Sequence, residues 1–333
     1  MPIAYDNPLD YSLDSGLESQ ATSFHDIPII DLTSLIDGSD PIMVADQIAH
    51  VCKNIGFLYI KNHGVDKQLI KEAYAQAEAF FDLPLEQKQK LNIINSGQTL
   101  RGYIPMFGEN VDPENTRDFK ECFDFGLNED KVSPFFGPNQ MPENPAKFKQ
   151  TFELYHKAMM TLARKLISAI ALSLNLPADY FEALQKSPIT IQRLLHYPPQ
   201  EGNITQKEIG IGAHTDYGFL TILSQDDIGG LQVQNRNGDW ISAPPVEDTF
   251  IVNIGDLVQT FTNDHYISTM HRVINTSGKE RYSIPFFIDL DFDAEVSVVP
   301  TCHSKEKPPK YETYICGQHK YKRFVDSYEH LSN

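Results

Sequence analysis

The feature that most constrains the fold is a change in the spacing of apolar residues after Pro177. Before this point apolar residues recur every three to four positions, which is typical of amphipathic helices. After it, short segments alternate with a period of two, which is typical of strands. The predicted strands are Thr190–His196, Gly218–Ser224, Gly230–Gln234, Thr249–Ile254, His271–Asn275, Tyr282–Leu290 and Glu295–Val299. Short strands at such close spacing favour a β-sandwich or jelly roll, and the chain as a whole is predicted to be α+β.

The first half of the chain is predicted to be mainly helical. Helices are expected over Met43–Asn54 and Asp66–Asp82, and a longer one over about Pro145–Asn175. The longest helix carries an apolar stripe that we assign to the core: Phe148, Phe152, Tyr155, Met159, Leu162, Leu166, Ile170 and Leu174. Residues 92–144 are rich in Gly, Pro, Asn and Asp, and are predicted to form an irregular surface segment that could cover a pocket. A last helix is expected near Tyr311–Val325.

Composition excludes several classes of partner. The 333 residues carry a formal net charge of −17, which opposes binding to a phosphate backbone, so no nucleic-acid partner is expected. No apolar run has the length of a membrane span, and the N-terminus lacks the pattern of a secretory signal. The four cysteines lack CxxC spacing and are predicted to be reduced thiols: Cys52, Cys122, Cys302 and Cys316. A cytoplasmic protein is expected, with a monomer as the default.

The sharpest local motif is His214-Thr215-Asp216. On an extended chain residues i and i+2 point to the same face, so an imidazole and a carboxylate can reach one ion. Taken alone, the motif is equally consistent with a surface pair beside a turn. His271 begins a strand-like run further along, and Arg281 and Ser283 form another i, i+2 pair. Two imidazoles and one carboxylate leave positions open on a metal, as in the facial triad of non-haem Fe(II) oxygenases.

Two further histidines were weighed against this set. His265 competes with His271 as the distal ligand, but it lies in a predicted turn and lacks the spacing of His271 to Arg281. His196 is interpreted as a packed or solvent-bonded histidine, with a role facing the substrate as the alternative.

Several ordered motifs together resemble the isopenicillin N synthase-like branch of the Fe(II)/2-oxoglutarate-dependent dioxygenases, over roughly Ile27 to Pro300. In the second half these are His214-Thr215-Asp216, Gly230-Leu231-Gln232-Val233, Asn253-Ile254-Gly255-Asp256, His271-Arg272-Val273 and Arg281-Tyr282-Ser283-Ile284-Pro285-Phe286-Phe287. In the first half they are Ile27-Pro28-Ile29-Ile30-Asp31-Leu32, Gly56-Phe57-Leu58-Tyr59-Ile60 with Asn62-His63-Gly64, and Arg101-Gly102-Tyr103.

The resemblance implies a distorted double-stranded β-helix, or jelly roll, with a helical N-terminal region and a long supporting helix. The predicted divisions are an N-terminal arm (1–25), a mainly helical dioxygenase region (26–175), the jelly-roll catalytic core (176–300) and a C-terminal segment (301–333). The arm is expected to be flexible or loosely docked, because it is rich in Asp, Ser, Asn and Pro and has little apolar periodicity.

The resemblance also implies roles for individual residues. Fe(II) would be held by His214, Asp216 and His271, and the distal carboxylate of 2-oxoglutarate by Arg281 and Ser283 with help from Tyr197. The chain departs from the common plant-type pattern beside that tyrosine, with Leu195 and His196 where Asn and Tyr are usual. The implied reaction uses 2-oxoglutarate and O2 to hydroxylate, desaturate or cyclise a small organic molecule, releasing succinate and CO2.

Alternatives stay open at this point. Relatives of the isopenicillin N synthase type keep an Arg-x-Ser but use no 2-oxoglutarate, and a homologue that binds a small molecule without turnover is a third possibility. The primary substrate is not readable from the sequence. Candidate pocket residues are Arg101, Tyr103, Phe107, Phe123, Leu231, Phe286 and Phe287. Arg101 is equally consistent with pairing to a substrate carboxylate and with a structural role, and core packing explains most aromatics in such a fold.

Overall fold

Two facing β-sheets form the core of the protein in the computed structural model, which describes residues 12–20, 27–97, 99–129, 133–200 and 202–328. The large sheet has eight strands in the order β2-β3-β14-β11-β16-β7-β6-β4. Its strands are β2 (Ile29–Asp31), β3 (Phe57–Lys61), β4 (Gly102–Ile104), β6 (Glu121–Phe125), β7 (Pro188–Tyr197), β11 (Leu220–Gln225), β14 (Thr249–Ile254) and β16 (Arg281–Asp291). All neighbours pair antiparallel except β2 and β3, which are parallel.

The small sheet has four antiparallel strands in the order β10-β15-β12-β13. They are β10 (Ile211–His214), β12 (Leu231–Gln234), β13 (Trp240–Ser242) and β15 (His271–Val273). One apolar cluster joins the inner faces of the two sheets, and it includes Ile191 and Ile251 of the large sheet and Val233 and Val273 of the small one. This arrangement is the predicted jelly roll. Short two-residue strands complete the structure: β1 (Ser12–Leu13), β5 (Arg117–Asp118), β8 (Asn203–Ile204), β9 (Glu208–Ile209), β17 (Glu295–Val296) and β18 (Tyr314–Ile315).

The helices are α1 (Thr33–Ile36), α2 (Pro41–Asn54), α3 (Lys67–Phe81), α4 (Leu85–Gln89), α5 (Phe148–Ser173), α6 (Asp256–Phe261) and α7 (Cys316–Ser327), with 3-10 turns at Ile93–Ser96, Glu182–Leu184 and Pro300–Cys302. Of these, α2, α3 and α5 pack on the outer face of the large sheet. The apolar stripe predicted on α5 is buried along its whole length, from Phe148 to Leu174, so its assignment to the core is confirmed. Asp40 and Asp66 cap α2 and α3 by accepting hydrogen bonds from Met43 N and Gln68 N, which fixes where these helices begin.

The prediction of an irregular segment over residues 92–144 is wrong in part. Strands β4 and β6 lie within it and extend the large sheet beyond β7. All five residues of β6 are buried, including Glu121 and Asp124. Acidic residues are uncommon in buried strands, so the pattern Glu-Cys-Phe-Asp-Phe did not indicate one. The charges are tolerated because Glu121 pairs with Lys88 and Asp124 with Arg193.

The large sheet crosses the predicted boundary at residue 175. Four of its strands precede that residue and four follow it, so the two regions share one sheet. The division of the chain at residue 175 therefore stays a prediction from the sequence.

Part of the predicted N-terminal arm is docked. β1 pairs with β8 in parallel, Gln20 forms a bridge with Ile241, and Leu17 is buried. Residues 1–11 and 21–25 of the arm lie outside the described residues, as do residues 329–333 of the C-terminal segment. No helix in the described part of the chain is long and apolar enough to cross a bilayer.

Candidate active site

The small sheet brings His214 and His271 together. β10 and β15 pair antiparallel with these two residues directly opposite each other, and their ring centroids are 4.2 Å apart. Asp216 follows β10 by two residues, and its Oδ1 lies 3.8 Å from His214 Nε2 and 3.7 Å from His271 Nε2. The three ligand atoms lie within 4.8 Å of one another. Among the described residues, this is the only cluster of three or more His, Cys or carboxylate side chains placed to hold a metal ion.

Backbone carbonyls orient both histidines. His214 Nδ1 is 2.8 Å from the carbonyl oxygen of Gly212, and His271 Nδ1 is 3.1 Å from that of Thr269. A carbonyl can only accept, so each Nδ1 carries the proton and donates it. The lone pair is then on Nε2 of both rings, the atom that faces Asp216.

The carboxylate of Asp216 is fixed by two donors on neighbouring strands. Its Oδ2 accepts hydrogen bonds from Thr221 Oγ1 at 2.5 Å and Asn253 Nδ2 at 2.6 Å. Because Oδ2 is occupied, Oδ1 is left facing the histidines. Gly255 lets the chain pass close by, since a Cβ there would lie 2.2 Å from the carbonyl oxygen of Gly218. This packing explains the motif Asn253-Ile254-Gly255-Asp256, whose last residue donates its backbone N–H to the carbonyl oxygen of Asp216.

The pKa values at the triad favour neutral histidines and an ionised carboxylate, which are the forms that bind a metal cation. Burial lowers the pKa of His214, and burial together with the neighbouring His214 lowers the pKa of His271 to about 4. Burial alone would raise the pKa of Asp216, but the two histidines and its hydrogen bonds lower it overall. Two neutral imidazoles and one carboxylate are therefore present at neutral pH. This donor set fits a divalent transition metal with coordination positions left open on one side.

A second polar site lies between the sheets, on β7 and β16. Arg281 is fully buried and is paired in register with Tyr197. Its Nη1 donates to Ser283 Oγ at 3.3 Å, its Nε donates to the carbonyl of Gly229, and the guanidinium lies 4.7 Å from the centroid of the Tyr197 ring. Among the described residues, no carboxylate forms a salt bridge with Arg281. A buried guanidinium without a carboxylate is costly, so this arrangement fits a site for an anionic ligand.

A cavity opens beside the triad. His214 and Asp216 form part of its wall, and apolar groups come from the large sheet, the segment after β4 and α7. The residues that line it are Glu109, Val111, Ile191, Arg193, His214, Thr215, Asp216, Tyr217, Gly218, Phe287, Lys320 and Phe324. A lining that mixes apolar and polar groups is typical of a pocket for a small molecule.

Of the substrate-binding candidates chosen from the sequence, Phe287 lines this cavity. Arg101, Tyr103 and Phe123 lie in the packed interior, where they do not support direct contact with a substrate. Arg101 donates to the carbonyl of Phe135, and Tyr103 donates to Glu121. Phe123 packs in the helix-facing core, as do the neighbouring aromatics.

Three more candidates lie off the cavity wall. Leu231 is buried between the sheets, and Phe286 points to the helix-covered face. Phe107 contacts Phe119 edge to face and lies under the guanidinium of Arg117. Leu231 and Phe286 were expected at the pocket because they belong to motifs that also supply site residues. Neighbouring side chains on a strand point to opposite faces, so membership of such a motif does not bring a side chain into the pocket.

His196 and His265 do not join the triad. His196 is opposite Tyr282 on the outer face of the large sheet, where it stacks on that ring and contacts Glu121 and Glu280. This agrees with its interpretation as a packed histidine. His265 is exposed and stacks on Tyr266.

Several residues of the cavity carry no local signal in the sequence. Glu109 lies in the segment predicted to be irregular, and Lys320 and Phe324 lie on the helix α7. Arg193 precedes Tyr197 by four residues, but nothing local distinguishes it from a surface arginine. These residues meet only through the tertiary fold, so no spacing in the sequence brings them together.

Comparisons with known proteins agree with this geometry. A family model described as "2OG-Fe(II) oxygenase superfamily" matches residues 188–290, and one described as "non-haem dioxygenase in morphine synthesis N-terminal" matches residues 27–144. Together they cover the jelly roll and most of the first half of the chain.

Curated relatives cover nearly the whole chain. A homoarginine-6-hydroxylase from Glycine max is 37% identical over 90% of this chain and 96% of its own length. A 1-aminocyclopropane-1-carboxylate oxidase from Dictyostelium mucoroides is 37% identical over 82% of this chain and 84% of its own.

Solved structures share the fold. A full-length Neurospora crassa protein, crystallised in complex with alpha-KG, superposes with a TM-score of 0.79 at 30% identity, covering 90% of this chain and 96% of that one. JOX2 in complex with 2OG, Fe and JA has a TM-score of 0.75 at 28% identity, covering 91% and 86%.

Proposed function

The chain belongs to the 2OG-Fe(II) oxygenase superfamily, and we propose which of its residues carry the activity of that superfamily. It is a non-haem Fe(II)- and 2-oxoglutarate-dependent dioxygenase, an oxidoreductase that also uses O2. In the proposal His214, Asp216 and His271 hold the iron. Arg281, Ser283 and Tyr197 hold the distal carboxylate of 2-oxoglutarate, and the primary substrate occupies the cavity beside the triad.

One observation carries the proposal. A triad of metal-ligating atoms and a buried guanidinium that forms no salt bridge among the described residues lie within the same jelly roll, and Asp226 feels the charge of Arg281 only from beyond salt-bridge distance. The guanidinium needs an anion, and 2-oxoglutarate supplies a carboxylate at one end and a chelating keto acid at the other. An oxidase that uses no 2-oxoglutarate would leave Arg281 to bind some other carboxylate.

When bound, the Fe(II) supplies the redox chemistry that couples 2-oxoglutarate and O2 to oxidation of the substrate, with release of succinate and CO2. The protein orients and shields the reactants. Thr221 and Asn253 hold Asp216 in one orientation, and the edge of Phe57 packs on His271 with ring centroids 5.1 Å apart. Burial of the triad limits water around the reacting groups.

The substrate is a small molecule, in line with neighbouring structures such as the Neurospora crassa protein in complex with alpha-KG and thymine. We propose hydroxylation as the reaction, since relatives at 35–37% identity are named homoarginine-6-hydroxylases. We further propose a monomer that acts in the cytoplasm and not on nucleic acid. The net charge of −17 and four free cysteines support this proposal.

The test is O2-dependent formation of succinate from 2-oxoglutarate by Fe(II)-loaded protein, compared with an Asp216→Ala variant. Wild-type protein is expected to form succinate slowly without substrate and faster with it, whereas the variant forms none above background. Succinate formation that is equal in the two proteins would reject the assignment of Asp216 to the metal.

A further inference from the structure

A buried network of charges lies behind one wall of the substrate cavity. It consists of Glu109, Asp118 and Asp124 with Lys120 and Arg193, all of them buried. Only two members, Glu109 and Arg193, line the cavity. The network therefore presents one carboxylate and one guanidinium to whatever occupies that space.

The guanidinium is already engaged by protein partners. Arg193 Nε and Nη2 donate to the two carboxylate oxygens of Asp124, at 2.8 and 2.7 Å. Its Nη2 also donates to Tyr328 OH at 2.7 Å, and its Nη1 donates to both oxygens of Glu109, at 2.9 and 2.8 Å. These contacts engage all three nitrogens of the guanidinium. Arg193 is thus committed to holding Glu109 and Asp124 and does not offer a site for a substrate anion.

Lys120 is committed in the same way. Its Nζ is 3.0 Å from Glu109 Oε2, 3.0 Å from Asp118 Oδ2 and 3.0 Å from the backbone carbonyl of Glu109. These three partners match the three N–H donors of an ammonium group.

The carboxylate of Glu109, in contrast, keeps accepting capacity. It receives two contacts from Arg193 and one from Lys120, whereas a carboxylate offers about four lone-pair positions. Burial would raise its pKa, but the two cations lower the pKa to about 2, so Glu109 is ionised at neutral pH.

The other cations near the network are engaged elsewhere. The buried guanidinium of Arg101 acts electrostatically on Asp124, so the buried charges of the region balance. Lys320, which also lines the cavity, is paired with the buried carboxylate of Asp289. Glu109 therefore keeps its open acceptor positions for a charged donor in the cavity.

The remaining wall is apolar. Val111, Ile191, Phe287 and Phe324 line the same cavity as Glu109, His214 and Asp216. Apolar lining suits a hydrocarbon chain between the group held by Glu109 and the carbon that is oxidised.

We infer that Glu109 is a specificity-determining residue that binds a cationic nitrogen, an amine or guanidine, on an aliphatic substrate. The inference rests on the proposed function and names the class of substrate for the same site. Arg193 and Lys120 act as positioning residues, since they hold the Glu109 carboxylate at the wall without contacting the substrate.

The test compares cationic probes with neutral isosteres on the Fe(II)- and 2-oxoglutarate-loaded protein under anaerobic conditions. The probes are L-homoarginine with L-homocitrulline for a guanidine and L-lysine with L-norleucine for an amine, and the readout is the shift of the visible absorption band of the loaded protein. In wild-type protein, we expect at least one cationic probe to half-saturate the shift at a concentration at least ten times lower than its neutral partner. Equal response to both members of each pair, or no response to any probe at millimolar concentration, overturns the inference.

Glu109→Gln supplies the second arm. The amide has nearly the same shape but lacks the negative charge that a cationic ligand would pair with. We expect the preference for the cationic probe to fall at least tenfold, while the band from 2-oxoglutarate stays near that of the wild type. The melting temperature is expected to fall, because Arg193 and Lys120 lose a buried ionic partner. Glu109→Asp keeps the charge and is expected to restore part of the preference.

The matched control is Glu114→Gln, which removes an exposed carboxylate from the same segment without altering the cavity lining. It is expected to keep the wild-type preference, and a control that loses the preference as Glu109→Gln does would attribute it to net charge alone and overturn the role of Glu109. Absence of the band in wild-type protein would instead overturn the proposed function. The two failures are therefore distinguishable.

Discussion

Replacement of Arg281 by leucine tests the part of the proposed function that is easiest to refute, which is the use of 2-oxoglutarate. Arg281 is fully buried, donates to Ser283 and stacks on Tyr197, so a carboxylate bound there would be paired in a site shielded from water. Loss of one partner of such a charge-assisted pair costs about 2–5 kcal/mol. At about 1.4 kcal/mol per tenfold change, the dissociation constant for 2-oxoglutarate should rise by about 30-fold to several thousandfold.

The assay is anaerobic calorimetry of 2-oxoglutarate binding to Fe(II)-loaded protein. The iron content of Arg281→Leu should stay at the wild-type level, because the triad lies on other strands. Arg164→Leu is the matched control, since it makes the same change on the exposed face of α5 and should bind as the wild type does. An affinity of Arg281→Leu within threefold of the control would remove Arg281 from the binding site.

Three further results are expected. His214→Ala should lose iron and activity together because one of the three metal ligands is gone, whereas His265→Ala should keep its iron. Elemental analysis after desalting measures the iron content of both variants. Iron loss from His265→Ala would reopen the choice of distal ligand. Gly255→Ala would place a Cβ 2.2 Å from the Gly218 carbonyl oxygen. We expect the free energy of unfolding, measured by chemical denaturation, to fall by about 1–3 kcal/mol. An unchanged free energy of unfolding would show that the backbone moves to accommodate the Cβ. The pKa of His271 falls to about 4 on folding, so the unfolded chain binds more protons than the folded one between about pH 6.5 and pH 4. Metal-free protein should therefore lose stability as the pH falls through that window. Denaturation experiments at several pH values should show a weaker dependence of stability on pH in His271→Ala.

Much of the fold was predictable because its patterns are local. The change of apolar period after Pro177 predicted the jelly roll, and β14 has the bounds read from the sequence, Thr249–Ile254. The helices α2 and α5 follow their apolar stripes. The strand β6 was missed because its acidic residues are buried only in the company of partners that are distant in sequence, such as Arg193.

The site divides in the same way. His214 and Asp216 are two residues apart, and their placement on one face follows from strand geometry alone. Their meeting with His271 follows from the pairing of β10 with β15, for which spacing gave only a hint. Glu109 belongs to the cavity through packing that involves Arg193 and Tyr328, which are distant from it in sequence, and no local pattern carries that information. Residues chosen as substrate contacts by aromatic character, such as Phe123, were instead used for the core.

The most direct test of the central claim is an anaerobic titration of Fe(II)-reconstituted protein with 2-oxoglutarate, followed by visible absorption. We expect a weak charge-transfer band that requires both Fe(II) and 2-oxoglutarate. The band should saturate at one 2-oxoglutarate per iron, and Arg281→Leu should lack it at modest 2-oxoglutarate concentration. Iron that binds without producing the band would favour an oxidase that uses no 2-oxoglutarate. Failure to bind iron at all would contradict the assignment of His214, Asp216 and His271 as its ligands.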